Sequence, residues 1–373
     1  MAHPVGRWFE SLRRDLRFAA GARTPPFTLW LRRSDAGTLP TRRLVVREVV
    51  RETPDAVTLW LEDPAGAPLV FEAGQFFTLL VNVGGDVLRR AYSASSSPRD
   101  RTKVGLTVKR IAGGRASTHL VEVARAGDTF EVLGPSGNFT LAAAADATAP
   151  LVLVAGGSGI TPLVSILREV LETMKARRVA LVHANRSAHD VIFAAALEQL
   201  AAAHPDRLVL SSLFGTTLEP GALARALDAI PFAAEADYYV CGPEPMMHVV
   251  RAALTTRGVA PTRLHEERFI SPQAKVTRAV SARGPVRVTV RVAGKDHAVD
   301  VAPGRTLLEA GLAANVPMPF SCALGGCGAC RVKVHSGTVE MDEPTCLTDA
   351  ERAEGYALAC VGRPSDGAVV EAP

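Results

Sequence analysis

Three cysteines stand close together near the carboxyl terminus, and a fourth follows them at a distance. Cys322, Cys327 and Cys330 have the spacing C-x4-C-x2-C within the segment SCALGGCGACR, and 29 residues separate Cys330 from Cys360. Three thiolates on one loop plus one distant thiolate is the plant-type arrangement for a [2Fe–2S] cluster. Zinc sites usually pair one C-x2-C with a second one or with histidines, and neither occurs near Cys360. The spacing therefore predicts a [2Fe–2S] cluster on these four cysteines and a spare thiol at Cys346.

A second group of candidate residues lies in an earlier, β-rich part of the chain. Arg90 and Tyr92 belong to the segment RAYSAS, and Gly113-Gly114 precedes Ser117 and Thr118, where a helix is predicted to begin. An arginine can neutralise a phosphate, a tyrosine can lie flat against an isoalloxazine ring, and a helix N-terminus can hold a pyrophosphate. These residues favour a flavin, although a Tyr92 that simply fills a core would leave the same pattern.

Two glycine turns in the middle of the chain form a third group. The turn Gly156-Gly157-Ser158-Gly159 follows a strand-like apolar run and precedes a helical pattern, so a phosphate can approach its backbone at a helix start. It is not the G-x-G-x-x-G fingerprint, which argues against an ordinary Rossmann site. The segment Cys241-Gly242-Pro243 ends another predicted strand. Without further context Cys241 reads as a buried structural cysteine, and Met246 and Met247 read as core residues.

The elements that must position these groups change in kind along the chain. Short β-rich runs separated by turn signals extend from Arg42 to about Leu141 and predict an antiparallel barrel or sandwich. From Pro150 strands alternate with helices, which predicts an open α/β parallel sheet with ligand sites at the carboxyl ends of its strands. Residues 271–284 are polar and contain proline and glycine, as expected of a linker. After Pro285, two strands, a helix over Thr306–Asn315, the cysteine loop and further strands predict a β-grasp (α+β) domain.

Composition and length support a multidomain globular protein. The 373 residues are 47% hydrophobic and 21% charged, enough to bury several cores. Six cysteines, four of them in a metal pattern, favour a reducing compartment over a disulfide framework, and we expect a cytoplasmic protein. The amino terminus lacks the apolar core of a signal peptide, and no transmembrane helix is predicted. The net charge of +4 is modest, and we predict no nucleic-acid partner.

The two ends of the chain differ in charge. Residues 1–43 hold nine arginines against three acidic residues, whereas the chain from Pro285 onward has 8 basic and 11 acidic side chains. Apolar residues from Trp8 to Ala20 recur at helical spacing opposite arginines, which predicts a short basic amphipathic helix. Such a helix can dock on a membrane surface or a partner, or pack its aromatic face on the next domain. Peripheral contact with the inner face of a membrane therefore stays an open prediction for residues 1–40.

Four segments in a fixed order carry a family resemblance. RAYSAS, GGRAS, GGSGITP and CGPEPMM, followed by the cluster motif, resemble the ferredoxin–NADP(H) reductase-like family, and in particular its members with a C-terminal ferredoxin domain. The resemblance covers about residues 41–373. It implies a flavin-binding barrel domain at 41–145, an NAD(P)-binding α/β domain at 146–270, the linker 271–284 and a plant-type ferredoxin domain at 285–373.

The resemblance also assigns roles to individual residues. Arg90, Tyr92 and Ser93 would contact the flavin. Those assigned to the flavin pyrophosphate are Gly114, Ala116 and Ser117, and those assigned to the nicotinamide nucleotide are Gly156, Gly157, Gly159, Thr161, Gly242 and Pro243.

Further roles concern the hydride path and the choice of nucleotide. Ser93, Cys241 and Glu267 would surround the hydride path, and Phe269 would cover the flavin face until nicotinamide displaces it. A surface salt bridge is the alternative role for Glu267. Arg186, just after a predicted strand, can bind a 2′-phosphate or can be solvated.

The implied activity is electron transfer. NAD(P)H would deliver hydride to a flavin, single electrons would pass to the cluster, and a separate oxygenase, hydroxylase or fatty-acyl desaturase would accept them. FAD is favoured over FMN because GGRAS matches the family's pyrophosphate element, and NADPH is favoured over NADH. The nine histidines form no 2-His-1-carboxylate pattern, so substrate oxidation is expected elsewhere. One alternative is a stand-alone diaphorase or quinone reductase, whose turnover would need no protein acceptor. The other is a redox-sensing binding module, and steady NAD(P)H oxidation would exclude this second alternative.

Overall fold

The computed structural model describes residues 41–141, 148–269, 284–320, 322–342, 345–347 and 349–372. The amphipathic helix predicted within residues 1–40 lies outside this range, and so does the predicted linker apart from its last residue. Within the described residues, every helix is too short or too polar to cross a membrane.

The first sheet is a closed antiparallel barrel of six strands. Its strands are β1 Arg42–Thr53, β2 Ala56–Glu62, β3 Phe76–Val83, β4 Asp86–Ser93, β5 Lys103–Lys109 and β6 Thr129–Ser136, and helix α1 is Arg115–Glu122. They pair in the order β4-β3-β6-β1-β2-β5, and a bridge between Ala94 and Leu106 joins the two edges. Alternate side chains such as Leu59 and Leu79 fill the interior. The predicted antiparallel barrel is confirmed.

The second sheet is parallel and carries helices on both faces. Its strands are β7 Leu151–Gly156, β8 Val179–Asn185, β9 Leu208–Phe214, β10 Asp237–Cys241 and β11 Leu264–Glu267; its helices are α2 Ile160–Thr173, α3 Ala194–Ala203, α4 Pro220–Asp228 and α5 Glu244–Thr256. Leu151 and Leu153 belong to one buried cluster and Val152 and Val154 to another, because successive side chains of a doubly covered strand face opposite layers. The order β11-β10-β7-β8-β9 places the topological switch point between β7 and β10, as expected for an open α/β fold.

The third unit has a mixed five-stranded sheet, a separate two-stranded sheet and two helices, and it is the predicted β-grasp arrangement. Its strands are β12 Val286–Val292, β13 Lys295–Val301, β14 Arg331–Ser336, β15 Val339–Met341, β16 Tyr356–Leu358, β17 Gly362–Pro364 and β18 Ala368–Ala372, and its helices are α6 Leu307–Ala313 and α7 Asp349–Ala353. A capping box starts α6: Thr306 Oγ1 accepts from the Glu309 N–H, and a Glu309 carboxylate oxygen accepts from the Thr306 N–H. The helix ends before the predicted Asn315, which has a φ of 57° and cannot continue it.

Buried hydrogen bonds join the barrel to the parallel sheet. The Ser165 hydroxyl on α2 donates to the Ser96 carbonyl oxygen (2.7 Å), and the Tyr239 hydroxyl on β10 donates to the Thr140 carbonyl oxygen (3.0 Å). These bonds hold the carboxyl ends of β7 and β10 beside the barrel, where the candidate site lies.

Candidate functional site

Residues from the barrel, the parallel-sheet unit and the β-grasp unit line one cavity of about 1340 Å³. Its size exceeds that of a pocket for a single small molecule, typically about 300–1,000 Å³. The sequence-predicted site residues that line it are Arg90, Tyr92, Ser93, Gly114, Ser117, Thr161, Glu267, Phe269, Cys322 and Cys327. The structure thus brings the predicted flavin and cluster residues to one space with Thr161 of the predicted nucleotide site, whereas the glycines of the turns after β7 and β10 lie outside its lining.

The barrel side of the cavity is formed by the end of β4 and the start of α1. Arg90 and Tyr92 are two residues apart on β4 and therefore face the same side of the strand. Burial raises the pKa of Tyr92, so its phenol stays neutral. An aromatic face and a cation are therefore presented together to the cavity.

Helix α1 begins at Arg115, two residues before the predicted start at Ser117. Gly114 is its N-cap in an extended conformation, and Ser117 turns its hydroxyl back, accepting from the Ile111 N–H (3.1 Å) and donating to the Gly114 carbonyl oxygen (3.2 Å). A Cβ on Gly114 would lie 2.6 Å from Ser117 Oγ, so a larger residue would disrupt this turn. The first-turn N–H groups can therefore receive an anionic oxygen. The side chain of Ala116 is buried in the barrel core, so only its backbone can contact a ligand, and its place at the pyrophosphate stays a prediction.

The nucleotide side is built from two glycine turns that interlock. A Cβ on Gly159 would lie 2.1 Å from the Cys241 carbonyl oxygen, and a Cβ on Gly156 would lie 2.5 Å from Met246 Sδ. A Cβ on Gly242 would meet the same methionine at 2.5 Å. These glycines are needed because the turns after β7 and β10 pack directly on each other. Met246 and Met247 are buried core residues, as predicted.

Thr161, which was predicted, and His183, which was not, both lie beside these turns. Thr161 lines the cavity and donates from its hydroxyl to the Ser158 carbonyl oxygen (3.1 Å). His183 on β8 is fully buried, with Nε2 3.2 Å from the Gly157 carbonyl oxygen. Burial lowers the pKa of His183 to about 4, so a neutral imidazole supports the turn.

Ser93, Cys241 and Glu267 meet where the barrel approaches the parallel sheet. The Ser93 hydroxyl is 3.5 Å from a Glu267 carboxylate oxygen, and Cys241 is the β10 residue paired with Glu267 on β11. Although Glu267 is half-buried as a residue, burial of its carboxyl group raises its pKa to about 8, with the negative charge of Cys327 adding to the shift. Burial also raises the pKa of Cys241, which stays a thiol. The group therefore presents hydrogen-bond donors that carry no charge at neutral pH.

The four predicted cluster cysteines form two close pairs. Cys322 lies next to Cys327, which raises the pKa of the Cys322 thiol, and Cys360 lies next to Cys330, which raises the pKa of the Cys360 thiol. The Leu324 N–H donates to Cys322 Sγ (3.4 Å), and the Gly325 N–H donates to Cys360 Sγ (3.2 Å).

This arrangement has the chemistry that a [2Fe–2S] cluster requires. A cluster takes four thiolates, and backbone N–H groups near the sulfurs tune it. In the described part of the chain, no three or more Cys, His, Asp or Glu side chains converge on one metal position. The loop uses a φ of 80° at Gly325 and of 72° at Gly328, which glycine adopts freely.

The two cysteine pairs differ in exposure to the cavity. Cys322 and Cys327 line it, whereas Cys330 and Cys360 lie behind them in the core of the β-grasp sheet. Cys346 rests against the loop, with its N–H donating to the Gly325 carbonyl oxygen (2.9 Å) and burial raising its thiol pKa to about 12.

Some predicted residues lie away from the cavity, and some lining residues were not predicted. Arg186 is outside it, and its guanidinium is 2.7 Å from an Asp190 carboxylate oxygen. Lys109 and His265, which were not predicted as site residues, also line the cavity. The His265 ring stacks on Tyr239 with centroids 4.5 Å apart. The position of Lys109 at the end of the strand that leads to the Gly113-Gly114 turn could have indicated it, whereas the stacking of His265 depends on strand order.

Comparison with known proteins identifies the architecture. Residues 43–141 match the family model of an oxidoreductase FAD-binding domain. Residues 153–252 match that of an oxidoreductase NAD-binding domain, and residues 290–365 match that of a 2Fe-2S iron-sulfur cluster binding domain.

Two curated relatives match most of the chain. The ferredoxin reductase component of 3-ketosteroid-9-alpha-monooxygenase from Mycolicibacterium smegmatis is 37% identical over 341 residues, which span 87% of this chain and 95% of the relative. The glycine betaine monooxygenase reductase from Chromohalobacter salexigens is 31% identical over 348 residues, which span 87% of this chain and 93% of the relative.

The structure of phthalate dioxygenase reductase is similar to this one. It is described as a modular structure for electron transfer from pyridine nucleotides to [2Fe–2S]. The match covers 89% of this chain and 98% of the phthalate dioxygenase reductase chain, with 28% sequence identity and a TM-score of 0.59. The chain therefore belongs to the ferredoxin reductase-type flavoproteins with a C-terminal [2Fe–2S] domain, oxidoreductases that pass electrons from NAD(P)H through a flavin to the cluster.

Proposed function

We propose that this chain is the reductase component of a multicomponent oxygenase, hydroxylase or fatty-acyl desaturase, with FAD as its flavin and a separate protein as its electron acceptor. The observation that supports this most is the shared cavity, which Tyr92 of the barrel, Thr161 of the parallel-sheet unit and Cys327 of the β-grasp unit line together. The relatives whose names state a role are reductase components of oxygenases.

The bound groups supply the redox chemistry: a flavin accepts a hydride and returns single electrons, which a [2Fe–2S] cluster takes one at a time. In our proposal the protein positions these groups. Tyr92 packs on the flavin ring, Arg90 neutralises its phosphate, and the first turn of α1 receives the pyrophosphate. The turns at Gly156–Gly159 and Gly242-Pro243 carry the nicotinamide nucleotide.

Ser93, Cys241 and Glu267 are proposed to shape the hydride path. Their uncharged donors fix the nicotinamide ring and hold a proton at the Glu267 carboxyl, while Phe269 covers the flavin face and excludes water. Phe269 is 47% exposed and lines the cavity, which suits a side chain that must be displaced. Cys322, Cys327, Cys330 and Cys360 are proposed as the cluster ligands.

We also propose domain limits at 41–145, 146–270 and 285–373, with 271–284 as the linker, in a cytoplasmic protein. The family-model matches at 43–141, 153–252 and 290–365 fall inside these limits. Residues 1–40 are proposed as a docking extension on the basis of their arginine content. Binding of the full chain to anionic vesicles would favour an integral-membrane desaturase as acceptor, and no binding would favour a soluble oxygenase.

The decisive experiment is an anaerobic titration of the purified holoprotein with NADH and, separately, NADPH. Flavin bleaching followed by the EPR signal of a reduced [2Fe–2S] cluster is the expected result. Bleaching without a cluster signal would refute the electron path and leave a simple diaphorase. Turnover that is equally fast with and without any candidate acceptor protein would refute the proposed partner class.

A further inference from the structure

Four charged side chains meet at the carboxyl end of β8. The Arg186 guanidinium is 2.7 Å from Asp190 Oδ1 and 3.8 Å from Asp55 Oδ2, and Asp55 comes from the barrel. Lys109 Nζ is 3.8 Å from the same Asp55 oxygen. The second Asp190 oxygen accepts from the Ser187 hydroxyl (2.8 Å), which fixes the carboxylate in place. Two cations therefore face two carboxylates, and the group has no net charge.

The place of this group in the fold matters for nucleotide choice. In open α/β sheets ligands bind beyond the carboxyl ends of the strands, and the glycine turn after the first strand can hold a phosphate at the start of a helix. The rest of a nucleotide then lies near the end of a neighbouring strand, where a carboxylate can accept from a ribose 2′-hydroxyl or an arginine can pair with a 2′-phosphate. Here the glycine turn follows β7, and β8 is the neighbouring strand that ends beside Arg186.

An unsatisfied amide stands at the same strand end. Asn185 is 6% exposed, and neither its side-chain nitrogen nor its side-chain oxygen has a hydrogen-bond partner among the described residues. Buried polar groups are normally paired, so this amide indicates a ligand that offers both a donor and an acceptor. A ribose or an adenine base meets that requirement.

We infer that this chain prefers NADH to NADPH and that Asp190 sets the preference by holding Arg186. A 2′-phosphate carries a charge of about −1.5 to −2 and would have to draw Arg186 away from Asp190. Two carboxylates would then face the phosphate. A 2′-hydroxyl has no such cost, because it can donate a hydrogen bond to a carboxylate. This inference replaces the sequence-based expectation that Arg186 binds a 2′-phosphate, and it rests on the proposed function.

The kinetic test uses the holoprotein with ferricyanide as an artificial acceptor. Wild-type kcat/KM should be at least about fivefold higher for NADH than for NADPH, and Asp190→Asn should raise kcat/KM for NADPH by about fivefold, the size expected of one exposed charge interaction. Asp55→Asn should shift the ratio the same way and serves as a second variant. Asp206→Asn is the matched control, because Asp206 is an exposed carboxylate directly before β9, at the opposite end of the strands.

A binding measurement separates charge from catalysis. Isothermal titration with 5′-AMP and with 2′,5′-ADP compares two ligands that differ by the 2′-phosphate alone. Wild-type protein should bind 5′-AMP more tightly, and Asp190→Asn should move the ratio of the two Kd values toward 2′,5′-ADP. An unchanged ratio in both aspartate variants would overturn the role of Asp190.

Different results would refute the NADH preference and the proposed function. Equal or faster turnover of NADPH by the wild-type protein would overturn the inference and leave the proposed function standing. If neither nucleotide bleached the flavin, the proposed function itself would be refuted.

Discussion

Replacing Gly159 by alanine tests whether the two glycine turns interlock as described. Gly159 has a φ of −63°, a conformation that alanine adopts without strain, so the substitution isolates the effect of the added Cβ. That Cβ would lie 2.1 Å from the Cys241 carbonyl oxygen and 2.8 Å from the Gly242 nitrogen. Real Cβ atoms keep at least 3.0 Å from such atoms, so one of the turns must move by about an ångström.

The expected loss is at the upper end of the range for overpacked sites, about 3 kcal/mol. For a unit of this size that corresponds to a fall of roughly 10 °C in the first melting transition. The kcat/KM for NADH should fall by about 100-fold, because displaced turns misplace the nucleotide. The cluster EPR signal after chemical reduction should be unchanged.

The control is Gly221→Ala, a helical glycine on α4 whose nearest neighbour to an added Cβ is the end of the Arg225 side chain at 3.5 Å. It should be neutral or stabilising by about 0.4–1 kcal/mol. Thermal unfolding followed by circular dichroism, together with ferricyanide reduction, makes the comparison. A Gly159→Ala variant with the melting temperature and kcat/KM of the Gly221→Ala protein would refute the interlocked turns.

Three further outcomes are expected. Cys327→Ser should abolish the cluster EPR signal, while NADH-dependent ferricyanide reduction persists. Cys346→Ser should keep the EPR signal. Loss of the signal in both variants would contradict the assignment of Cys327, and not Cys346, as a cluster ligand. Ser93→Ala should slow flavin reduction, followed by stopped-flow absorbance, by about 100-fold, because the variant loses the contact with Glu267 that helps to fix the nicotinamide ring. A rate within twofold of wild type would exclude that role of Ser93. The pKa of His183 is depressed to about 4 from an unfolded value of 6.5, so its stabilisation is present above pH 6.5 and is lost as pH falls toward 4. His183→Gln keeps a donor for the Gly157 carbonyl oxygen but does not titrate. Between pH 7 and pH 5 the free energy of unfolding, measured with urea, should therefore fall by about 2 kcal/mol less in this variant than in the wild-type protein. Equal losses in the two proteins would contradict the depressed pKa of His183.

The features that local chemistry determines were predictable from the sequence. The spacing C-x4-C-x2-C reflects the geometry of thiolates around a cluster, and period-two and period-3.6 patterns reflect burial of strands and helices. The antiparallel barrel, the parallel sheet and the β-grasp unit follow from those patterns. The cysteine pairing and its orientation toward the cavity depend on how β14 to β17 fold together, which no local pattern records.

Features that depend on contacts between distant segments were missed. Arg186 was predicted to bind a 2′-phosphate or to be solvated, and its proximity to Asp55, which comes from the barrel, has no local signal in the sequence. The place of Ala116 beside a pyrophosphate stays a prediction, and the burial of its side chain depends on how α1 packs on the barrel core. The glycines after β7 and β10 were interpreted as sites of phosphate approach, and their packing against each other becomes evident only from the strand order.

The buried hydrogen bonds between Ser165 and Ser96 and between Tyr239 and Thr140 bear on how such a protein can be recombined. Each bond crosses from the parallel sheet to the barrel, and a mismatched partner would leave a polar group buried without a hydrogen bond. A chimera that exchanges the barrel alone, or the parallel sheet alone, breaks both bonds unless the donor supplies matching surfaces. Residues 41–269 therefore form the smallest block that can be transplanted whole, and a nucleotide specificity grafted from a relative must bring its barrel with it.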